Sequence, residues 1–190
     1  MANFISILRA LLSFVAVGIL FLNTASMYWA AFILTILVIW MDGLDGYIAR
    51  KFNETSKFGA VLDILSDRIV ENVYWISFAV LNWLPLWVPL VVLTRGIITD
   101  GLRGLALEQG YTAFGEKTMM RSSIGKFIVA SNFSRFSYAV LKAMAFALLI
   151  LANVLPAVAT IAYFCAYGAV FFCVVRGLPV IIESRRFLTK

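Results

Sequence analysis

The sequence predicts an all-α integral membrane protein: one domain over residues 1–190, six transmembrane helices and both termini in the cytoplasm. Three observations lead there. Of the 190 residues, 63% are hydrophobic and 14% charged, and mean hydropathy is +0.95. A soluble domain runs near half apolar and a quarter charged. Six apolar stretches lie at 8–22, 27–48, 59–81, 85–107, 126–151 and 157–182, near the ~20 residues a helix needs to cross a bilayer. Their connectors alternate in charge. Residues 23–26, 82–85 and 152–156 hold none, whereas 50–58, 104–125 and the tail from Glu183 hold Arg50, Lys51, Lys57, Lys117, Arg121, Arg185, Arg186 and Lys190. The positive-inside rule places the charged connectors and both ends in the cytoplasm.

Each stretch has its own reading. Arg9 precedes an apolar run ending in Thr24-Ala25-Ser26, the outline of an export signal. A single arginine is a thin basic leader, so the stretch is read as the first span. The second stretch carries Asp42 and Asp45 near its cytoplasmic end. The third is not purely apolar, because it holds Asp63, Asp67, Arg68 and Glu71. Glu71, one turn past Asp67, reads as a supporting residue or a partner of Arg68. Ser131, Asn132, Arg135, Tyr138 and Lys142 make a polar stripe at helical spacing in the fifth stretch, and Arg176 lies inside the sixth. Cations within a span face the bundle interior. Cys165 and Cys173 lie eight apart in one apolar run. That is about 12 Å of helical rise, too far for a disulfide, and both read as buried packing residues.

Composition also excludes chemistries. The chain has no histidine, which removes His-ligated zinc and Ser-His or Cys-His catalysis. The net charge of +6 suits nucleic acid in a soluble protein. In a membrane chain it reflects topology and anionic head groups, so no nucleic-acid partner is expected and the bilayer itself is.

The four aspartates carry the chemistry. A carboxylate in a span costs about 2.5–3.5 kcal/mol even on the lenient insertion scale. Asp42 and Asp45 are three apart and Asp63 and Asp67 four apart, so each pair shares a helix face. The loop between them is short, which makes the two helices antiparallel neighbours and lets all four carboxylates meet at one depth. Four like charges repel unless cations are present. Oxygen-only ligands favour Mg²⁺, Mn²⁺ or Ca²⁺, and two divalent ions would balance four carboxylates. Two-ion sites of this kind clamp attacking and leaving oxygens in phosphoryl chemistry. Gly43, Gly46, Ala49 and Gly59 let helices or a ligand approach closely. Arg50 can bind a phosphate in a fork.

Written out, the stretch is Asp42-x-x-Asp45-Gly46-x-x-Ala49-Arg50-x8-Gly59-x3-Asp63-x3-Asp67. It resembles the signature of the CDP-alcohol phosphotransferase family at every defined position and gap. The resemblance implies transfer of a phosphatidyl group from CDP-diacylglycerol to an alcohol with release of CMP, for membrane phospholipid synthesis. It also implies roles by position. Asp42, Asp45 and Asp63 would bind one Mg²⁺ or Mn²⁺, and Asp42, Asp63 and Asp67 a second. Asp67 would also be the catalytic base. Gly46, Ala49, Arg50, Ser56 and Gly59 would contact the CDP donor. Ser6-x-x-Arg9 is similar to a polar pair often found at the family's N-terminus.

The acceptor is written less plainly. Arg95-Gly-Ile-Ile-Thr-Asp-Gly-Leu-Arg103 resembles the Arg-Glu-Ile-x4-Leu-Arg pattern of family members that use glycerol phosphate, and Gly125-Lys126 resembles their Gly-Lys-x-Lys-Thr. Gly96 replaces the glutamate, and Ile128-Val129 the Lys-Thr. Arg103, Arg121, Lys126, Arg135 and Arg176 are the candidate ligands for an acceptor phosphate. The expected acceptor is sn-glycerol 3-phosphate, with inositol phosphate or another alcohol as the alternative. A cation transporter is the rival of a different class, since carboxylates within a span also mark ion paths. It does not account for four aspartates at one depth or for the Gly/Ala/Arg spacing. Spans rich in small residues often associate, which suggests a possible homodimer.

Overall fold

A computed structural model describes residues 2–51, 57–111 and 119–188, and every regular element among them is helical. In chain order these are α1 (Ala2–Leu20), α2 (Ala25–Lys51), α3 (Lys57–Val80), α4 (Trp87–Glu108), a single turn α5 (Ser123–Gly125), a π-helical turn (Lys126–Ala130), α6 (Asn132–Leu151), a 3₁₀ turn (Pro156–Val158) and α7 (Ala159–Leu188). Four segments are long and apolar enough to cross a bilayer: Asn3–Leu20, Ala25–Leu44, Asn132–Leu151 and Pro156–Arg185. α3 and α4 have the length, at 24 and 22 residues. Their acidic and basic residues lower the mean hydropathy. The apolar stretch read from residue 126 is not one helix either, because its regular part starts at Asn132.

The chain divides into two compact units, residues 1–89 with 145–163, and residues 90–144 with 164–190. In the first unit α1 packs on both α2 and α3. Its buried stripe is Ser6, Arg9, Ala10, Ser13, Ala16, Val17 and Leu20, while Phe4, Ile7, Leu11, Phe14 and Val15 are exposed. Apart from Val17 and Leu20 near its end, the buried stripe is small or polar, while the exposed side chains are large and apolar. That is the pattern of a helix solvated by lipid, where close approach rather than apolarity drives association. α2 buries Tyr28, Ala31, Thr35, Val38 and Met41 and exposes Trp29, Ile33, Ile36, Leu37 and Trp40.

A hydroxyl pair fixes the register of α2 against α3. The Thr35 hydroxyl donates to its own helix at the Ala31 carbonyl (2.7 Å), so its remaining partner, the Tyr74 hydroxyl at 2.9 Å, is the donor to Thr35. Both residues are fully buried. Seven residues on from Thr35 stands Asp42, and seven residues before Tyr74 stands Asp67. Two helical turns, about 10.5 Å of rise, separate each. The pair thus sets two aspartates opposite each other.

Around Tyr74 an aromatic core closes the unit. Phe146 stacks on Tyr74 (4.8 Å between centroids) and meets Trp75 edge-on at 5.0 Å. Phe78 stacks on Trp83 at 5.4 Å. α1 and α3 each stop at an asparagine in the left-handed region, Asn23 (φ 53°) and Asn82 (φ 59°). Asn23 accepts a hydrogen bond from the Tyr28 hydroxyl. After Asn82, the Trp83 N–H returns to the Phe78 carbonyl at 2.8 Å, which satisfies one of the last carbonyls of α3.

In the second unit α4 ends the same way at Gly110 (φ 84°), with the Tyr111 N–H on the Ala106 carbonyl at 3.0 Å. Ala106, Met119, Met120, Val129 and Val180 form its buried apolar cluster. The two cysteines are free and buried, as their spacing requires. Replacing Phe146 with alanine removes its contacts with Tyr74, Trp75 and Phe78 and leaves a cavity, which together cost about 3–5 kcal/mol. The expected result is a lower thermal unfolding midpoint in detergent, read by the near-ultraviolet dichroism of the tryptophans.

Candidate active site

The stripes of α2 and α3 end in acid. Along α2 the buried line Tyr28, Ala31, Thr35, Val38 continues at helical spacing to Asp42. Along α3 the line Phe78, Tyr74, Glu71 runs back to Asp67 and Asp63. One carboxylate oxygen from each of Asp42, Asp63 and Asp67 lies within 4.8 Å of the other two, and all three residues are exposed. Asp45 follows Asp42 on α2, as do Gly46, Ala49 and Arg50. The side chains of these four are outside the described set. Gly59 sits in the first turns of α3, and Ser56 lies outside the described residues.

α1 supplies the counter-charge. The Arg9 guanidinium is buried and pairs with Asp42. Its Nη2 reaches Asp67 Oδ1 at 2.8 Å and Asp63 Oδ1 at 3.8 Å. A single cation thus touches all three carboxylates, each about half exposed. Arg9 was not among the site residues read from the sequence, which gave it only as half of a polar pair. The usable signal was a cation at helical spacing with Ser6 and Ser13 on a span that otherwise carries no charge. Glu71 is buried and paired with Arg68 Nη1 at 2.9 Å, one of its two expected roles.

The carboxylates fit a hard divalent cation. The donors are all oxygens from two facing helices, they converge without help from sulfur or imidazole, and the space between them already accommodates a positive group. Mg²⁺ and Mn²⁺ are held this way, by few carboxylates with open positions left for phosphate and water.

A second group of charges lies in the other unit. Arg95 and Arg176 are both buried, and the Nε of each has no hydrogen-bond partner among the described residues. The Arg95 side chain lies across Gly177, where an added Cβ would stand 2.9 Å from its Cγ and 3.1 Å from its Nε. Arg176 donates from Nη2 to the Val129 carbonyl (3.2 Å) and covers the Tyr138 ring at 5.4 Å. Lys142 approaches the same ring at 5.5 Å. The charges of Arg95 and Arg135 both act on Arg176.

The helix break explains why a carbonyl is available to Arg176. Ser131 is extended and ends the π-helical turn. Its hydroxyl caps the Ser134 N–H at 3.1 Å, while the Ser134 hydroxyl donates to the Ile128 carbonyl at 2.6 Å. Carbonyls freed by the break are thus taken up by a serine and an arginine.

Of the five acceptor candidates, Arg176 alone is buried; Arg121, Lys126 and Arg135 are exposed. Arg103 lies 3.8 Å from Asp100 on its own helix. Arg95 opens the 95–103 pattern and is not among the ligands expected from sequence. Burial without an acceptor for Nε is what marks it.

Proteins with known roles resemble this chain in part. A CDP-diacylglycerol–glycerol-3-phosphate 3-phosphatidyltransferase of Cereibacter sphaeroides is 37% identical over 106 residues, 53% of this chain and 48% of that protein. One from Pseudomonas fluorescens is 32% identical over 116 residues, 60% of this chain and 59% of its own. CDP-diacylglycerol–inositol 3-phosphatidyltransferase 1 of Arabidopsis thaliana is 37% identical over 70 residues, 35% and 28% of the two chains. The chain thus spans about half the length, or less, of most curated relatives it matches. The general pattern of the group extends further than any of these pairs, since the CDP-alcohol phosphatidyltransferase family matches residues 1–175, and to that family the chain belongs.

Proposed function

We propose that this chain transfers the phosphatidyl group of CDP-diacylglycerol to sn-glycerol 3-phosphate and releases CMP, in membrane phospholipid synthesis. The convergence of Asp42, Asp63 and Asp67 from two helices carries the reading. In the reaction the acceptor hydroxyl oxygen attacks the phosphorus that bears diacylglycerol. A new P–O bond to the acceptor forms, the phosphoanhydride P–O bond to CMP breaks, and the hydroxyl proton passes to the Asp67 carboxylate. Asp42, Asp45, Asp63 and Asp67 would hold two divalent cations, Mg²⁺ or Mn²⁺. When bound, these supply charge neutralisation for the donor's diphosphate and the leaving CMP. Gly46, Ala49, Gly59, Arg50 and Ser56 bind and orient the CDP moiety, the small residues by admitting it closely and the other two through polar contacts.

The acceptor is assigned from charge. Arg95 and Arg176 hold two guanidiniums out of water with an N–H unused on each, and buried cations of one sign call for an anion. A phosphate on the acceptor supplies it, with Arg103, Arg121, Lys126 and Arg135 contributing positive potential. The names of the bacterial relatives favour glycerol 3-phosphate.

α3 and α4 complete six spans in this reading. Both reach the ~20 residues a crossing requires, and both expose large apolar side chains such as Ile64, Ile76, Leu90 and Ile97. The charged connectors support a topology with both termini and the aspartates at the cytoplasmic face of the cell membrane. The chain acts as a single domain, and a homodimer is its proposed assembly.

Purified protein given Mg²⁺ or Mn²⁺ and CDP-diacylglycerol should release CMP only when an acceptor is added, and glycerol 3-phosphate should outperform inositol phosphate, serine and free glycerol. Preference for an unphosphorylated alcohol would overturn the acceptor, and no CMP with any alcohol would overturn the reaction. EDTA should abolish turnover and added Mn²⁺ restore it; full activity in chelator contradicts the two-cation reading.

Asp67→Asn keeps the size of the side chain and removes its basicity. Turnover should fall by at least ~10², with donor binding less affected. Near-normal turnover would remove Asp67 from proton transfer.

Arg176→Ala should raise the acceptor KM by about ten- to a hundredfold, the worth of one charge-assisted contact, and leave the donor KM near its wild-type value. An unchanged acceptor KM would separate Arg176 from the phosphate.

A further inference from the structure

Glu183 lies beyond residues 1–175, the part of the chain that carries the family pattern. It holds the start of the broken helix. Its Oε2 accepts the Arg121 backbone N–H at 2.5 Å, and its Oε1 accepts the Ser122 hydroxyl at 2.5 Å. The Ser122 oxygen in turn caps the Gly125 N–H at 3.0 Å. One carboxylate therefore organises the turn from which Lys126 follows.

The second grip on this segment comes from the same helix. Arg176, on α7 seven residues before Glu183, bonds the Val129 carbonyl, seven residues after Ser122. Two contacts made in opposite order along the two segments mean that 122–129 runs antiparallel to α7, pinned at two points seven residues apart. Lys126 lies between the pins. Losing one pin leaves the segment free to slide or tilt about the other.

Gly125 fits the same account. An ideal Cβ there would stand 2.5 Å from Glu183 Oε1 and 2.7 Å from Ser122 Oγ, closer than real Cβ atoms come. Any side chain at 125 has to push the carboxylate off the turn. The glycine before Lys126 thus leaves room for the contact between Glu183 and Ser122, and substitutions at either 125 or 183 disturb it.

We infer that Glu183 is a positioning residue for the acceptor site: by tying the 121–125 turn to α7, with Gly125 leaving it room, it holds Lys126 and Arg176 in one register. The inference rests on the proposed use of a phosphate-bearing acceptor. A displacement of about 1 Å in a site of this kind costs on the order of 10²-fold, so the effect is readable in the acceptor KM.

The test uses the full chain in detergent with Glu183→Ala, Gly125→Ala, the double variant and Glu183→Gln. Each single alanine variant should raise the glycerol 3-phosphate KM by about tenfold or more, with the CDP-diacylglycerol KM unchanged. The double variant should be no worse than the more affected single one, since both remove one contact. Glu183→Gln, which keeps the shape and one acceptor oxygen, should recover most of the loss.

Trypsin cutting after Arg121 reads the turn without activity, and it should quicken in both alanine variants. Unchanged cutting overturns the tie itself. Faster cutting with an unchanged acceptor KM overturns the positioning role and leaves a structural contact. A wild type that turns over only with an unphosphorylated alcohol instead overturns the reading on which the inference rests, whatever the cutting shows.

Discussion

The first unit depends on the meeting of Arg9 with Asp42, Asp63 and Asp67. Three helices contribute one charge set at one end, and neither sign is tolerable there alone. Carboxylates gathered within 4.8 Å repel, and an arginine buried in an apolar helix lacks solvation. Together they satisfy each other and give α1 a reason to lie against α2 and α3. The hydroxyl pair Thr35–Tyr74 does the complementary work two turns away, where no charge is present. The acidic end of the unit is thus held by electrostatics, and the rest by close packing of small and aromatic side chains.

This division separates what was legible in the sequence from what was not. The aspartates were legible because helical periodicity is a short-range property: spacings of three and four fix a face before any tertiary contact is known. The facing of α2 and α3 followed from a short connector. Arg9 was not legible as a site residue, because its partners lie more than thirty residues away and nothing local distinguishes a paired arginine from a basic leader. Arg95 was hidden for a related reason. Its buried Nε, without a partner among the described residues, is a property of the surroundings, and within its own segment Asp100 and Arg103 look like equally good participants.

The helix break near Ser131 shows a different limit. Apolar residues dominate 126–151 despite its polar stripe, so hydropathy reads one span. What stops the helix is polar chemistry at short range: Ser131 extended, its hydroxyl on the Ser134 N–H, and Ser134 returning to Ile128. Serine competes with the backbone for its own hydrogen bonds. Whether it does so in a given span depends on a third group able to donate to the released carbonyl. Here that group is Arg176, 47 residues away from Val129.

The left-handed asparagines bear on how the polypeptide enters a bilayer. A helix that ends in such a residue finishes within one or two positions, and its last carbonyls are bonded by the turn itself. Neither the tip around Asn23 nor that around Asn82 contains an ionisable side chain. Each hairpin tip is therefore compact, nearly neutral and largely satisfied before it meets lipid. Moving it through the hydrocarbon costs the desolvation of a few polar groups rather than the transfer of a charge. In the proposed topology the ends that stay behind hold the arginines and aspartates, and the asymmetry that would orient the chain during synthesis would also keep these charges together on one side.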